Sequence, residues 1–226
     1  ILVAPENLDA FTDKLKEAGY IYRSAKSPAS RIKAKRKIDM IHTDPKYCDL
    51  EIHIDLITKK FFKESTGDFT SWAMTRLMQT DDPSVCLLSP VDEWLYLALH
   101  YCFHLFSGEK WLNDLMILQT NFSDEEMNEL VEIANRFCLQ RVVTAVRSCL
   151  IQKYGIDKIR IPFLYKNKSS IFNLLLRKPE IKFRHRLSDR IIAGYWEFLF
   201  IDETKAFLKA YRHLLFPYFS VFCSIY

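Results

Sequence analysis

The stretch that most restricts what this chain can fold into is CDLEIHIDL, Cys48 to Leu56. Cys48, Leu50, Ile52, Ile54 and Leu56 alternate there with Asp49, Glu51, His53 and Asp55. Strict alternation over this length is the mark of a half-buried β-strand, because successive side chains of a strand point to opposite faces. One face is apolar and needs a core. The other carries three carboxylates and an imidazole. Like charges in a row on one sheet face repel and are normally avoided, so their presence asks for a reason. Either they hold something, or the strand faces solvent and His53 pairs locally.

The segments around this strand set its context. ILV, Ile1 to Val3, reads as the end of a buried strand. Pro5 to Ala18 follows as a helix, with a proline at its start, apolar Leu8, Phe11, Leu15 and Ala18 at helical spacing, and Gly19 as its stop. IDMIH, Ile38 to His42, is a second strand, joined to the acidic one by the turn TDPKY. The first sixty residues therefore read β-α-β-β. A fold rarely begins inside a central strand, so further residues are expected ahead of Ile1 in the natural protein.

Beyond Thr66–Asp68 no convincing strand is visible, and helices take over. Ser89 to Phe106 opens with a serine cap, Pro90 and Glu93. Glu109 to Thr120, Ser123 to Cys138 with the capping-box start SDEE, and Gln140 to Tyr154 follow. Two more helices are expected over 188–201 and 202–216. The predicted architecture is α+β: a small mixed-sheet part over residues 1–65, then an all-helical part over residues 66–226.

At 226 residues the chain has ample length for a buried core, and its net charge of +4 permits contact with phosphates without demanding nucleic acid. Six scattered cysteines, mostly among apolar residues and without CxxC spacing, point to buried thiols in a reducing compartment and hence a cytoplasmic location. No apolar run reaches the length of about 18 residues needed to span a bilayer, so no membrane partner is expected. Arg23 to Lys37 carries seven basic residues and no acid, and Lys166 to Arg190 is also basic. Both read as solvated surface or as electrostatic steering of polyphosphate or nucleic acid. Neither has the interleaved aromatics of a single-strand platform. His100 and His104 stand four apart on one helix and face one side of it. With no third ligand nearby they are a weak zinc signal. They read as core histidines satisfied by Asp114, or as a wall contacting nucleotide or acceptor.

The order of these motifs resembles the uncharacterised nucleotidyltransferase family, a branch of the polymerase-β-like nucleotidyltransferase superfamily. ILVAPENLDAFTDKLKEAGY is similar to that family's strand end, Pro-Glu helix start and Gly-Tyr stop. LEIHIDL resembles its acidic-x-His strand. LSPVDEWLYLALHYCFHLFSGEKWLNDLMIL resembles its helical signature, carried here by His100, His104, Trp111 and Asp114, and HLLFPYF resembles its C-terminal Phe-Pro. The resemblance implies a metal-dependent transferase in which Glu51 is the third carboxylate. Its paired Asp-x-Asp and glycine-serine turn would fall ahead of Ile1. Asp55 departs from the family pattern, which carries a basic or neutral residue there.

The chemistry explains why carboxylates are wanted. Nucleotidyl transfer builds charge on oxygens around an α-phosphate, and two Mg²⁺ ions about 3.5–4 Å apart clamp the attacking and leaving oxygens. Glu51 and His53 are then the catalytic candidates, and Glu51 with Asp49 the metal ligands. Lys35, Arg36 and Lys37, with Lys33, are the candidate contacts to an NTP. His100, His104, Trp111 and Asp114 are the candidate substrate or interdomain residues. The expected activity is Mg²⁺-dependent transfer of a nucleoside monophosphate from NTP to an unidentified acceptor. Two rivals stand beside it: a non-catalytic binding module with the same fold, and a nucleic-acid-binding protein using the basic stretches.

Overall fold

A computed structural model of the chain describes residues 1–23, 37–56, 69–82, 85–104, 106, 108–162 and 164. The chain divides into two units, Ile1–Lys60 and Phe61–Tyr226, and the architecture is α+β. The expected division after residue 65 falls within residues 57–68, outside the described ones, as do the two helices expected after residue 187.

In the first unit a 3-10 turn at Pro5–Asn7 leads into α1, Leu8–Glu17. Three strands follow: β1 (Tyr20–Tyr22), β2 (Lys37–His42) and β3 (Leu50–His53). They form one antiparallel sheet in the order β1-β2-β3. Leu2 bridges to His53 in parallel. The Val3 amide donates to the His53 carbonyl at 2.8 Å, and the His53 amide to the Ile1 carbonyl at 2.7 Å. β3 is therefore flanked on both sides, and the sheet is mixed. Its apolar face supplies Ile38, Met40 and Ile52 to a core with Val3 and Leu8, against which Phe11 and Leu15 of α1 pack. Fully burying a side chain of this size contributes about 1.5–3 kcal/mol. The helical spacing and the strand alternation thus serve one cluster. Gly19 ends α1 at φ +94°, under the His42 ring. That ring ties the helix end to β2: Nε2 donates to the Ala18 carbonyl at 2.7 Å, and Nδ1 accepts from the Asp44 amide at 2.8 Å.

β1 is absent from the sequence-based reading because three residues are too few to show a period. The second unit adds two more elements that the reading did not foresee. A short helix, α2 (Phe69–Met74), precedes an antiparallel ribbon of β4 (Met78–Gln79) and β5 (Cys86–Leu87). Both strands of the ribbon are exposed, so no alternation of buried and exposed positions marks them.

Four helices then follow as the sequence indicates: α3 (Pro90–Phe103), α4 (Glu109–Asn121), α5 (Asp124–Arg136) and α6 (Gln140–Tyr154). α3 packs against all three others, which is why its sequence is nearly apolar all round. Trp94 is wholly buried on it, and its indole N–H donates to the Leu115 carbonyl at 3.1 Å. Ser89 caps α3, and Ser123 with Glu126 closes a complete capping box on α5. Among the described residues no helix is long and apolar enough to cross a membrane.

A polar network ties α2 and the ribbon to this bundle. Arg76 Nε lies 3.1 Å from Asp92 Oδ2, and its Nη2 lies 2.6 Å from Glu129 Oε1. Ser89 Oγ donates to the same Asp92 oxygen at 2.8 Å. Asp92 is completely buried. Loss of water raises its pKa above the usual value, against the Ser89 hydrogen bond and the Arg76 charge that lower it; Glu129 adds to the rise.

Candidate active site

The antiparallel register pairs Asp39 with Glu51 and Lys37 with His53. Alternation puts all four on the face opposite the core residues Ile38, Met40 and Ile52. Lys37 Nζ hydrogen-bonds Glu51 Oε1 and lies 3.8 Å from Asp39 Oδ1. His53 Nε2 lies 3.4 Å from the same Glu51 oxygen. Side-chain exposure is 38% for Glu51 and 42% for Asp39, against 10% for His53. The two carboxylates are thus reachable, while the imidazole beneath them is packed.

The hydrogen bond from His53, then the hydrogen bond and charge of Lys37, hold the Glu51 carboxyl well below the usual carboxylate range, although partial burial opposes them. Glu51 is ionised at neutral pH. Repulsion between Glu51 and Asp39 on this sheet face is relieved by Lys37 of β2.

Asp49, expected beside Glu51 as a metal ligand, precedes β3 and pairs with the Arg23 guanidinium in an exposed position. Asp55, expected on the polar face, follows the end of β3 and is buried at 1% exposure. Lys33, Lys35 and Arg36 lie outside the described residues, so Lys37 is the described member of that basic group. Asp39 is the residue that the sequence reading missed. Its signal was there: IDMIH alternates, so its one acid falls on the polar face, but only the register shows that it stands opposite Glu51.

A divalent cation fits this arrangement in its chemistry. Two hard oxygen donors from adjacent strands converge on one cationic atom, Lys37 Nζ. Mg²⁺ is commonly bound through one or two carboxylates, with waters and phosphates completing its shell. Among the described residues no group of three His, Cys, Asp or Glu side chains is arranged to hold a metal, so the pair by itself could supply only part of a shell.

In the helical unit, His100, His104 and Trp111 come together. The two imidazole centroids are 4.5 Å apart, and the Trp111 ring lies 4.9 Å from His100 and 4.3 Å from His104. Tyr96 continues the row, 5.8 Å from His100. Gly108 at φ +113° opens the way for Trp111, whose ring lies 2.8 Å from where a Cβ would stand. Asp114, one turn after Trp111, is half-buried, and its charge acts on Glu93 of α3. Burial first, and then Asp114, raise the Glu93 pKa.

The family described as uncharacterised nucleotidyltransferase matches residues 1–153, a span that takes in both the acidic sheet face and the imidazole–indole row. No curated protein and no solved structure matches the chain. With well over half of its residues matched, the chain belongs to the uncharacterised nucleotidyltransferase family.

Proposed function

We propose that this protein moves a nucleoside monophosphate from an NTP to an acceptor, with Mg²⁺ held by Glu51 and Asp39. The observation that carries the reading is the convergence of their two carboxylates on Lys37 Nζ. The ion, when bound, would offset charge developing on the phosphate oxygens. The chain's own residues do the remaining work. His53 Nε2 orients Glu51 Oε1 and helps to keep that carboxylate ionised, so it stays a ligand at any working pH. Lys37 is the natural partner of the outer phosphates, since its ammonium already sits between the two carboxylates and has only to turn from them to the ligand. Lys35 and Arg36, just before it in sequence, would add to that charge. Arg23 already holds Asp49, so Asp49 could serve as a further ligand only by giving up that pair.

The test is transfer of label from α-³²P-NTP, with Mg²⁺, into protein or an added acceptor pool. Protein translated from the complete gene is compared with its Glu51→Ala and Asp39→Asn variants. Removing one group that stabilises developing charge typically costs about 10²–10³-fold in rate, and a loss of that order is expected for Glu51→Ala. Equal labelling by all three proteins would overturn the mechanism and leave the fold as a binding module.

A further inference from the structure

We propose that Arg23 is a phosphate-binding residue of the acidic sheet face, and that Asp49 competes with the nucleotide for it. The Arg23 amide donates to the Asp39 carbonyl at 3.1 Å, so the pairing of β1 with β2 runs one residue past Tyr22. Tyr22 packs against the core, and alternation sets Arg23 on the opposite face. That is the face of Asp39 and Glu51, and the register brings Arg23, Asp39 and Glu51 into one row across the three strands. Its guanidinium does not stop at Asp39. It pairs with Asp49, which precedes β3 and which the core packing of Leu50 beside it sets on the same open face. β2 lies between β1 and β3, so this ion pair has to cross β2, a span of about 9.5 Å from strand to strand. The Arg23 side chain therefore runs over β2 beside Asp39, on the surface where phosphates would rest on a metal held by Asp39 and Glu51.

The pair is built to be exchanged. Arg23 and Asp49 keep 56% and 57% of their side chains exposed, and an exposed pair of this kind shifts an equilibrium by about fivefold at most. A carboxylate and a phosphate offer similar oxygen pairs to the fork of a guanidinium, so Asp49 occupies Arg23 with a group that a phosphate can replace. Arg76 has no such freedom, because its partner Asp92 is buried. Nor does Arg23 duplicate Lys37. Lys37 Nζ sits between the two carboxylates, whereas Arg23 comes from β1, on the side of Asp39 away from Glu51, so the two cations would flank the phosphates. The identity of the ligand rests on the nucleotidyl-transfer reading; the crossing of β2 does not.

The experiment is calorimetric titration of protein translated from the complete gene with the α,β-methylene analogues of ATP, GTP, CTP and UTP, each with Mg²⁺. The methylene bridge blocks transfer, so affinity alone is read. For the tightest-binding analogue, Arg23→Ala is expected to weaken binding about tenfold by loss of a charge-assisted contact. Asp49→Asn is expected to tighten it, by up to about fivefold, and that gain should vanish in the Arg23→Ala background. Removal of a repelling charge alone would give the same gain in both backgrounds. Unchanged affinity in Arg23→Ala, no gain in Asp49→Asn, or a gain of equal size in both backgrounds would each overturn the proposal; weaker binding in Asp49→Asn would make Asp49 a metal ligand instead. Binding of no analogue would remove the nucleotide reading and this one together, whereas binding without label transfer would remove only the transfer step.

Discussion

Glu51 in the sheet unit and Asp92 in the helical unit are built alike, yet their proton affinities move in opposite directions. Each shares one cation with a second carboxylate: Glu51 shares Lys37 with Asp39, and Asp92 shares Arg76 with Glu129. The Glu51 pKa falls and the Asp92 pKa rises. The difference lies in water. Glu51 has two donors, Lys37 and His53, as Asp92 has Arg76 and Ser89, but it keeps 38% of its side chain exposed. Asp92 keeps none, so lost hydration outweighs its partners. A half-open carboxylate with two donors is held charged and remains reachable. A sealed carboxylate with similar partners serves as a tie between α2, the ribbon and the bundle. Acid–base pairs that look equivalent as contacts are therefore suited to different tasks.

The largest effect that tests this contrast is on stability. Arg76→Met would leave Asp92 buried without its cation, and breaking a buried pair from one side costs about 3–5 kcal/mol. Urea unfolding should show a loss of that order, and a loss as small as that of a surface pair would break the contrast. Glu51→Gln should cost only about 0.5–1 kcal/mol in the same assay, because the pair is half-exposed and solvent screens it.

The pH dependence sharpens the comparison further, since the two signs are opposed. Glu51, with its pKa lowered from 4.5, contributes stability that is present above that value and fades as pH falls below it. The stability gap between wild type and Glu51→Gln should therefore close in acid. Asp92, with its pKa raised above 3.8, holds its proton more tightly when folded. Wild type should accordingly gain on Asp92→Asn as pH falls through the raised value, and this gain is complete below 3.8. Urea midpoints of the three proteins, compared at about pH 7 and about pH 3.5, decide it: gaps that move in the same direction would refute the assignment. The smallest effect belongs to Asp49→Asn. Its partner Arg23 is 56% exposed and Asp49 itself 57%, so the change should stay within about 0–1 kcal/mol.

Much of this arrangement could be read from the residues, but only where the signal is local. CDLEIHIDL announced a strand with an acidic face, and Ser89 and Ser123 announced their helices, because alternation and capping depend on neighbours in sequence. The strand proved shorter than its pattern: Leu50–His53 pair, Asp49 lies before them and Asp55 turns inward. Periodicity does not say where pairing stops. The cation that neutralises Glu51 was harder to see. Lys37 was singled out for its place in a basic run, but its position beside Glu51 depends on the register of β2 against β3, as does the opposition of Asp39. Asp92 was invisible as a buried charge, since an acid in the first turn of a helix ordinarily faces water and favours the helix dipole. Only the packing of Arg76 across it reveals otherwise.

Two glycines of the helical unit make a natural experiment in what a missing side chain is for. Gly108 and Gly155 both adopt positive φ, +113° and +90°, so alanine at either position meets a similar backbone penalty. Around Gly155 nothing lies within 4 Å of the added carbon, whereas at Gly108 that carbon would lie 2.8 Å from the Trp111 ring. Gly108 therefore acts as a seat as well as a bend. Filling the seat would dislodge the indole from its two imidazole neighbours, so the change would be read first as a disturbance of the Trp111, His100 and His104 side chains.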